Sequence, residues 1–309
     1  MTCSALFRPL AAALLLALAA PAAADQPVGA AADKPATLAD VLAAASDGDW
    51  RRPDPENTLY LEIAGGRVVI ELAPQFAPEH VANLRTLARA GYWDGLAILR
   101  VQDNYVVQWG DPDADDADQR RPLGDARERL PAEFSRIAPE LPFTALDGGD
   151  LYAPQAGWVD GFPAARNPAD GQTWMAHCYG LVGAGRDNAA DSSNGTQLYV
   201  VIGHAPRHLD RNITSVGRVL KGIEHLSSLP RGGGVMGFHQ HREDMPVIQR
   251  IRLAADVAQA ERSRIEVFRT DTPAFARLIE ARRHRHEEWF VSPVGKIELC
   301  NVPIPVREG

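Results

Sequence analysis

The chain has 309 residues, of which 45% are hydrophobic and 23% are charged. That composition is ordinary for a globular protein and is enough for one domain of moderate size with extensions. The formal net charge of −8 at pH 7 argues against a nucleic-acid partner, because phosphate binding requires a basic face.

The first 24 residues are predicted to form a secretory signal peptide. Arg8 precedes an apolar run at residues 9–20, and three alanines precede Asp25. The run is too short to span a bilayer and is followed by a small-residue cleavage site. We therefore expect an exported, periplasmic protein with no stable membrane insertion after cleavage. An uncleaved N-terminal anchor is the alternative.

The first predicted elements follow a linker at residues 25–56, whose short amphipathic segment we expect to pack on the main domain. In NTLYLEIAGGRVVIELAP (residues 57–74), apolar residues alternate on both sides of Gly65-Gly66, which predicts a β-hairpin. Pro78 then begins a stretch with apolar residues at helical spacing that runs to Gly91. This stretch predicts an amphipathic helix.

A second hairpin is predicted in AILRVQDNYVVQWGDPD (residues 97–113), folded about residues 102–104. Residues 111–173 are rich in Asp, Arg, Pro and Gly. A long irregular segment is unusual inside a compact domain, so we interpret it as a surface loop insertion.

Short strands and helices alternate in the rest of the chain. Strands are predicted in TWMAHCYG, TQLYVVIG, ITSVGRVL and IQRIRLAADV, and helices in LKGIEHLSSL and TPAFARLIEARRHRHEEWF. The core thus consists of many short strands interrupted by two helices, the one that begins at Pro78 and the one in LKGIEHLSSL. This pattern indicates a closed barrel with helical caps rather than a parallel α/β sheet. The last barrel strand is complete near Val257, so the C-terminal extension, residues 259–309, is predicted to be an accessory.

Three separated segments bear on function: ILRVQDNYVVQWGD, then MAHCYG with SSNGTQLYVVIG, then HLDRNITSVGRVLKGIEHL. In this order and spacing they resemble the cyclophilin family of peptidyl-prolyl cis-trans isomerases, over about residues 57–258. The resemblance implies a mainly β protein: a closed eight-stranded antiparallel β-barrel capped by two α-helices, with a proline-binding groove on its outer surface. It also implies an isomerase that acts on proline-containing polypeptides and needs no metal or other cofactor.

The resemblance assigns roles to individual residues. Arg100 matches the family's catalytic arginine, and Gln108 matches the glutamine that orients it. Tyr105 and Val106 match residues that line the proline pocket. The other expected substrate-binding residues are Ala176, His177, Gln197, Tyr199, His208 and Leu209.

Three positions depart from the family's pattern. His177 stands where an asparagine is usual, His208 where a tryptophan is common, and Ile213 where a histidine or tyrosine is common. These changes bear on affinity and sequence preference more than on the reaction. They leave open a second function, a chaperone or binding module that holds proline-containing segments with little turnover.

Rotation of an X-Pro bond explains the residue types. The barrier of about 18 to 20 kcal/mol arises because the amide nitrogen's lone pair is delocalised into the carbonyl. Catalysis therefore needs no nucleophile, but an apolar cup for the proline ring and a donor to the nitrogen as the bond twists. A guanidinium is permanently charged, planar and rich in donors.

Other interpretations apply to single residues. Alone, Arg100 is typical of a surface ion pair, and Tyr105, Val106, Tyr199 and Leu209 are each typical of core residues. His177 and His208 are interpreted as exposed groove histidines rather than metal ligands. Solvated surface is favoured over metal binding for residues 239–241, 284–288 and 111–118.

The two cysteines that follow the predicted signal peptide are Cys178 and Cys300. They could pair in an oxidising compartment, but positions so far apart in sequence fix no geometry. Two buried thiols are the favoured interpretation. The sequence leaves the oligomeric state open.

Overall fold

A computed structural model describes residues 35–309; the predicted signal peptide and the start of the linker lie outside the described residues. The strands are β1 (Trp50–Arg51), β2 (Thr58–Ile63), β3 (Gly66–Leu72), β4 (Ala97–Val101), β5 (Val106–Gly110), β6 (Arg136–Ile137), β7 (Thr144–Ala145), β8 (Gln155–Val159), β9 (Phe162–Asn167), β10 (Gln172–Met175), β11 (Leu181–Ala184), β12 (Leu198–Val201), β13 (Ser215–Lys221), β14 (Ile248–Leu253), β15 (Ile265–Phe268) and β16 (Val306–Glu308). The α-helices are α1 (Leu38–Ala43), α2 (Pro78–Arg89), α3 (Ile223–Ser227) and α4 (Pro273–His284).

Eight antiparallel strands form one sheet in the order β14-β2-β3-β13-β11-β12-β5-β4. Its two edges meet at an isolated bridge between Ala97 and Val247, and the Ile98 amide donates to the Pro246 carbonyl over 2.8 Å. The sheet is thus a nearly closed barrel, which confirms the predicted fold class.

The barrel interior follows the predicted alternation along its strands. Leu59, Leu61 and Ile63 of β2 are buried in one cluster with residues from α2. Helix α2 begins at Pro78, whose missing N–H costs nothing in a first turn. Its Val81, among other apolar residues, is fully buried in that cluster, so α2 covers the barrel as predicted.

The expectation of a loop insertion holds for residues 111–135 and fails beyond them. From residue 136 the chain forms a second, five-stranded sheet in the order β6-β10-β9-β8-β7. Asp160 and Gly161, both at positive φ, form the turn that joins β8 to β9, and Phe162 of β9 is buried beside them. The predicted strand TWMAHCYG therefore contributes β10 to this second sheet rather than to the barrel.

The segments on both sides of the barrel fold together. Strand β1 pairs with β15, and β15 pairs with β16, in a three-stranded sheet, while α1 contacts α4. The predicted amphipathic segment of the linker thus packs on the main domain, and the predicted C-terminal helix is present as α4.

The C-terminal extension shares a core with the barrel. Phe268 and Phe275 of the extension belong to the same buried cluster as Tyr60 and Val69, whose strands are part of the barrel. Trp158 of the second sheet joins them, with its ring centroid 4.9 Å from that of Phe275. The extension is therefore a structural part of the domain rather than a separate appendage.

Cys178 and Cys300 form a disulfide bond across a sequence separation of 122 residues. The expectation of two buried thiols is therefore wrong. The fold brings the Cα atoms to 5.0 Å, within the range that a disulfide requires, because the extension returns to the loop after β10.

Candidate active site

Arg100 and Gln108 lie opposite each other on the hairpin of β4 and β5. Arg100 is only 7% exposed, and its Nη1 donates to Oε1 of Gln108 over 3.4 Å. Gln108 Nε2 in turn donates to Oε1 of Gln197 over 2.9 Å. The hairpin register thus holds the guanidinium through one glutamine, which a second glutamine from the loop before β12 holds in place.

Four further contacts fix the Arg100 guanidinium. Its Nε donates to the Met236 carbonyl over 2.7 Å, and Nη2 donates to Oε1 of Gln102. The rings of Tyr105 and Phe238 each have their centroid 5.4 Å from its central carbon. Burial lowers the pKa of Arg100, but an arginine remains a cation at neutral pH.

Among the described residues, no carboxylate lies within ion-pair distance of Arg100. A buried cation without a counterion is costly unless hydrogen bonds and ring faces replace its hydration. Here two side-chain amide oxygens, a main-chain carbonyl and two aromatic rings do so. With no carboxylate of the described residues close enough to neutralise it, this guanidinium keeps its full positive charge as a hydrogen-bond donor beside the ring of Tyr105.

Sequence reasoning missed the loop at residues 231–241, which supplies Met236 and Phe238. Phe238 forms an isolated β-bridge with Arg100. An added Cβ at Gly237, where φ is +79°, would lie 2.7 Å from Gln102 Cα, so only glycine allows the loop to approach the β4–β5 turn this closely. The run RGGGVMG was the available signal, since clustered glycines often mark close backbone approach.

The proposed pocket residues lie next to this arginine. Tyr199 of β12 pairs in register with Gln108, and it belongs to a buried cluster with Val106 against which Tyr105 packs. That cluster also contains Phe162 of the second sheet. The segment predicted as a loop therefore packs behind the residues that were expected to line the proline pocket.

The structure does not bring Ala176 and His177 to the groove surface. They are 1% and 0% exposed, so they offer no surface to a peptide backbone, and the interpretation of His177 as an exposed groove histidine without partners is wrong. Ala176 instead lines a cavity of about 1250 Å³ beside the C-terminal extension.

Gly185 lies next to Gln108 and Gln197. Its amide donates to the Gln197 carbonyl over 2.8 Å. A Cβ built on it would lie 3.3 Å from Gln197 Cβ and 3.5 Å from Gln108 Nε2. Gly185 and the following Arg186 are therefore the better candidates for backbone contacts to a peptide.

His208 and Leu209 lie on a short 3-10 turn, Arg207–Leu209. His208 is exposed and Leu209 is half-buried, as a groove wall requires. The next residue, Asp210, contacts His177, which in turn contacts Tyr199. The turn is thus connected to the pocket through two buried side chains.

Residues 58–253 match a family model described as cyclophilin type peptidyl-prolyl cis-trans isomerase/CLD. The chain belongs to the cyclophilin family. Its class is therefore peptidyl-prolyl cis-trans isomerase, as the resemblance implied.

Relatives of this cyclophilin carry the same enzyme name. It is 28% identical to a probable peptidyl-prolyl cis-trans isomerase of Brucella suis over 58% of its own length and 74% of the relative's. It is also 28% identical to human peptidyl-prolyl cis-trans isomerase-like 1, over 59% and 82% of the two chains.

The structure of cyclophilin AquaCyp293 from Hirschia baltica is similar, with a TM-score of 0.67 and 28% identity. The match covers 88% of this cyclophilin and 97% of that chain. Because residues 58–253 make up less than two thirds of the chain, the likeness extends into the segments that flank the barrel.

Proposed function

We propose that this cyclophilin accelerates X-Pro rotation in folding proteins of an exported compartment, with Arg100 as the donor to the prolyl nitrogen. The observation that carries the proposal is the Arg100 guanidinium, which is buried, held by Gln108 and Gln102, and without a carboxylate partner in the part of the chain that the structure describes. A donor that is already fixed before the reaction needs little reorganisation when the lone pair becomes localised on the prolyl nitrogen in the twisted state.

The reaction proceeds without a covalent intermediate. Tyr105, Val106 and Tyr199 hold the proline ring, and Gln108 and Gln197 offer amide groups to the flanking peptide backbone. As the bond rotates, the nitrogen lone pair becomes localised and accepts a hydrogen bond from Arg100. The interaction is strongest at the barrier top, which is the condition for lowering the barrier.

A protease-coupled or NMR-exchange assay on a short X-Pro peptide tests this proposal. We expect the purified chain to accelerate isomerisation well above the uncatalysed relaxation, which takes on the order of 10 to 100 s. Peptide binding without acceleration would favour the chaperone or binding module instead.

The export proposal rests on the N-terminal sequence pattern and is supported by the Cys178–Cys300 disulfide, since disulfides persist mainly in oxidising compartments. We expect protein recovered without reductant from an exporting host to begin near Asp25. Its intact mass should equal that of the mature chain less two hydrogens. A species that retains Met1 and fractionates with membranes would instead indicate an anchor, and free thiols in the exported protein would contradict the oxidised state.

His208 gives a prediction on drug sensitivity. In cyclophilins that bind cyclosporin tightly, the tryptophan at this position donates a hydrogen bond and covers the drug with an apolar face. An imidazole buries less apolar surface, which counts at about 25 cal/mol per Å². We expect weak inhibition of the wild type by cyclosporin, and His208→Trp should increase sensitivity more than it changes turnover.

A cyclosporin titration of both proteins, with turnover on the same peptide as the control, checks this prediction. Tight inhibition of the wild type, or no gain in the variant, would mean that His208 does not stand on that wall of the groove.

A further inference from the structure

We propose that His177 is a positioning residue, which holds the hydroxyl of Tyr199 from behind the proline pocket and so fixes the wall against which the proline ring packs. This inference rests on the proposed function, because it assigns Tyr199 to the proline pocket. It follows from a continuous set of polar contacts that is buried from Tyr199 to Arg207 and ends at the exposed Glu298 of the C-terminal extension.

Tyr199 is held on two sides. Its ring lies over Gly183, its register partner on β11, where an added Cβ would be 2.2 Å from the ring carbon that carries the hydroxyl. Its hydroxyl lies 2.9 Å from Nε2 of His177. Burial raises the pKa of Tyr199, so the hydroxyl stays protonated, and a buried hydroxyl is costly to leave without a partner.

The tautomer of His177 follows from Asp210. Both the backbone N–H and the Nδ1 of His177 lie 2.9 Å from Oδ1 of Asp210. Although burial opposes it, the hydrogen bonds from His177 and the charge of Arg207 keep the pKa of Asp210 below its usual range. A carboxylate only accepts, so Nδ1 carries a proton and donates to Asp210, and Nε2 is then the ring atom that accepts from the Tyr199 hydroxyl.

Asp210 is fixed in turn by Arg207, whose Nε donates to Oδ2 over 2.6 Å. The other end of this guanidinium contacts Asp150 at 3.0 Å and Glu298 of the extension at 3.8 Å. The residue after His177 is Cys178, which is bonded to Cys300 of the extension. His177 therefore has one orientation, set by groups on both sides of it.

The test uses variants that affect the contacts of the two ring nitrogens of His177 separately. His177→Asn keeps a donor near Nδ1 for Asp210 but removes the acceptor for Tyr199, whereas His177→Gln retains an acceptor that can reach the hydroxyl. Tyr199→Phe keeps the ring and removes the need for a partner. The readouts are the Kd of a short X-Pro peptide from an NMR titration and, separately, kcat and KM.

We expect His177→Asn to weaken peptide binding by about tenfold, with KM rising more than kcat falls, because the hydroxyl loses its acceptor and the ring shifts. His177→Gln should recover most of the affinity. The double variant His177→Asn/Tyr199→Phe should bind the peptide no worse than Tyr199→Phe alone, because both substitutions remove the same contact between His177 and Tyr199.

A matched control is His80, another fully buried histidine, whose Nδ1 contacts Glu133 at 2.7 Å. His80→Asn should lower the midpoint of thermal unfolding as His177→Asn does, but leave Kd and KM unchanged. An unchanged Kd in His177→Asn, or a loss that Tyr199→Phe does not remove, would overturn the positioning role. Wild-type binding without turnover would instead refute the proposed isomerase function, and the Kd values would still decide the role of His177.

Discussion

Replacing Arg100 by alanine is expected to lower kcat/KM on a short X-Pro peptide by about 10²- to 10³-fold, the usual effect of removing one preorganised donor. The barrel should stay folded, because the variant removes a buried cation that has no carboxylate partner within residues 35–309. The cost to folding comes from the Met236 carbonyl and the Gln102 and Gln108 amide oxygens, which lose their donor.

Arg100→Lys is expected to recover little of this activity. An ammonium is a compact point charge, whereas the guanidinium reaches Gln102, Gln108 and the Met236 carbonyl from three nitrogens. A lysine that keeps one of these contacts loses the others, and its orientation toward the prolyl nitrogen is lost with them.

Arg231 is the matched control for these variants. It is an exposed arginine next to the same turn, paired with Asp103 at 3.0 Å, and Arg231→Ala should leave kcat/KM within about twofold, since surface pairs contribute little. Thermal unfolding of each variant separates loss of activity from loss of fold. Unchanged turnover in Arg100→Ala would show that this hairpin is not the catalytic groove.

Local sequence patterns were enough to predict the arginine site. Arg100 and Gln108 sit on one hairpin with a short turn, so alternation along two adjacent strands already placed them on one face. The same reasoning failed at Ala176 and His177, because an alanine stands at or next to the end of both β10 and β11 and does not distinguish the two strands. Only strand pairing shows that Gly185, and not His177, follows the strand that faces the two glutamines.

Long-range packing explains the other differences. Cys178 and Cys300 meet only because the extension folds back across the barrel, and no local pattern encodes that return. The second sheet at residues 136–175 was hidden by polar and glycine residues that form its turns, although Trp158 and Phe162 are fully buried. Apolar periodicity along the sequence predicts where strands form. It does not predict which surface of the protein those strands cover.

The extension gives the second large expected effect. The sequence predicts that the extension is an accessory, and on that prediction truncation after Ala258 would leave activity nearly unchanged. The structure leads to the opposite expectation, because truncation removes α4, β15, β16 and the disulfide. We now expect the truncated chain to be insoluble or largely unfolded, since it would expose buried surface of Tyr60, Val69 and Trp158.

The magnitudes support this expectation. Truncating a single buried phenylalanine to alanine costs about 3 to 5 kcal/mol, and loss of a native disulfide costs about 2 to 5 kcal/mol. The truncation removes Phe268, Phe275 and the disulfide together. Together these losses come to about 8 to 15 kcal/mol, which is comparable to the total stability of about 5 to 15 kcal/mol that is typical of a domain.

Point variants of α4 provide a graded form of the same test. Phe275→Ala should lower the free energy of unfolding by about 3 to 5 kcal/mol, because the ring is fully buried against Trp158. Arg277→Ala, on the exposed side of the same helix, should change it by less than about 0.5 kcal/mol. Urea unfolding of both variants, beside soluble yield and peptide turnover of the truncated chain, measures the contribution of the extension. A truncated chain that is soluble and fully active would show that the barrel folds without the core it shares with α4.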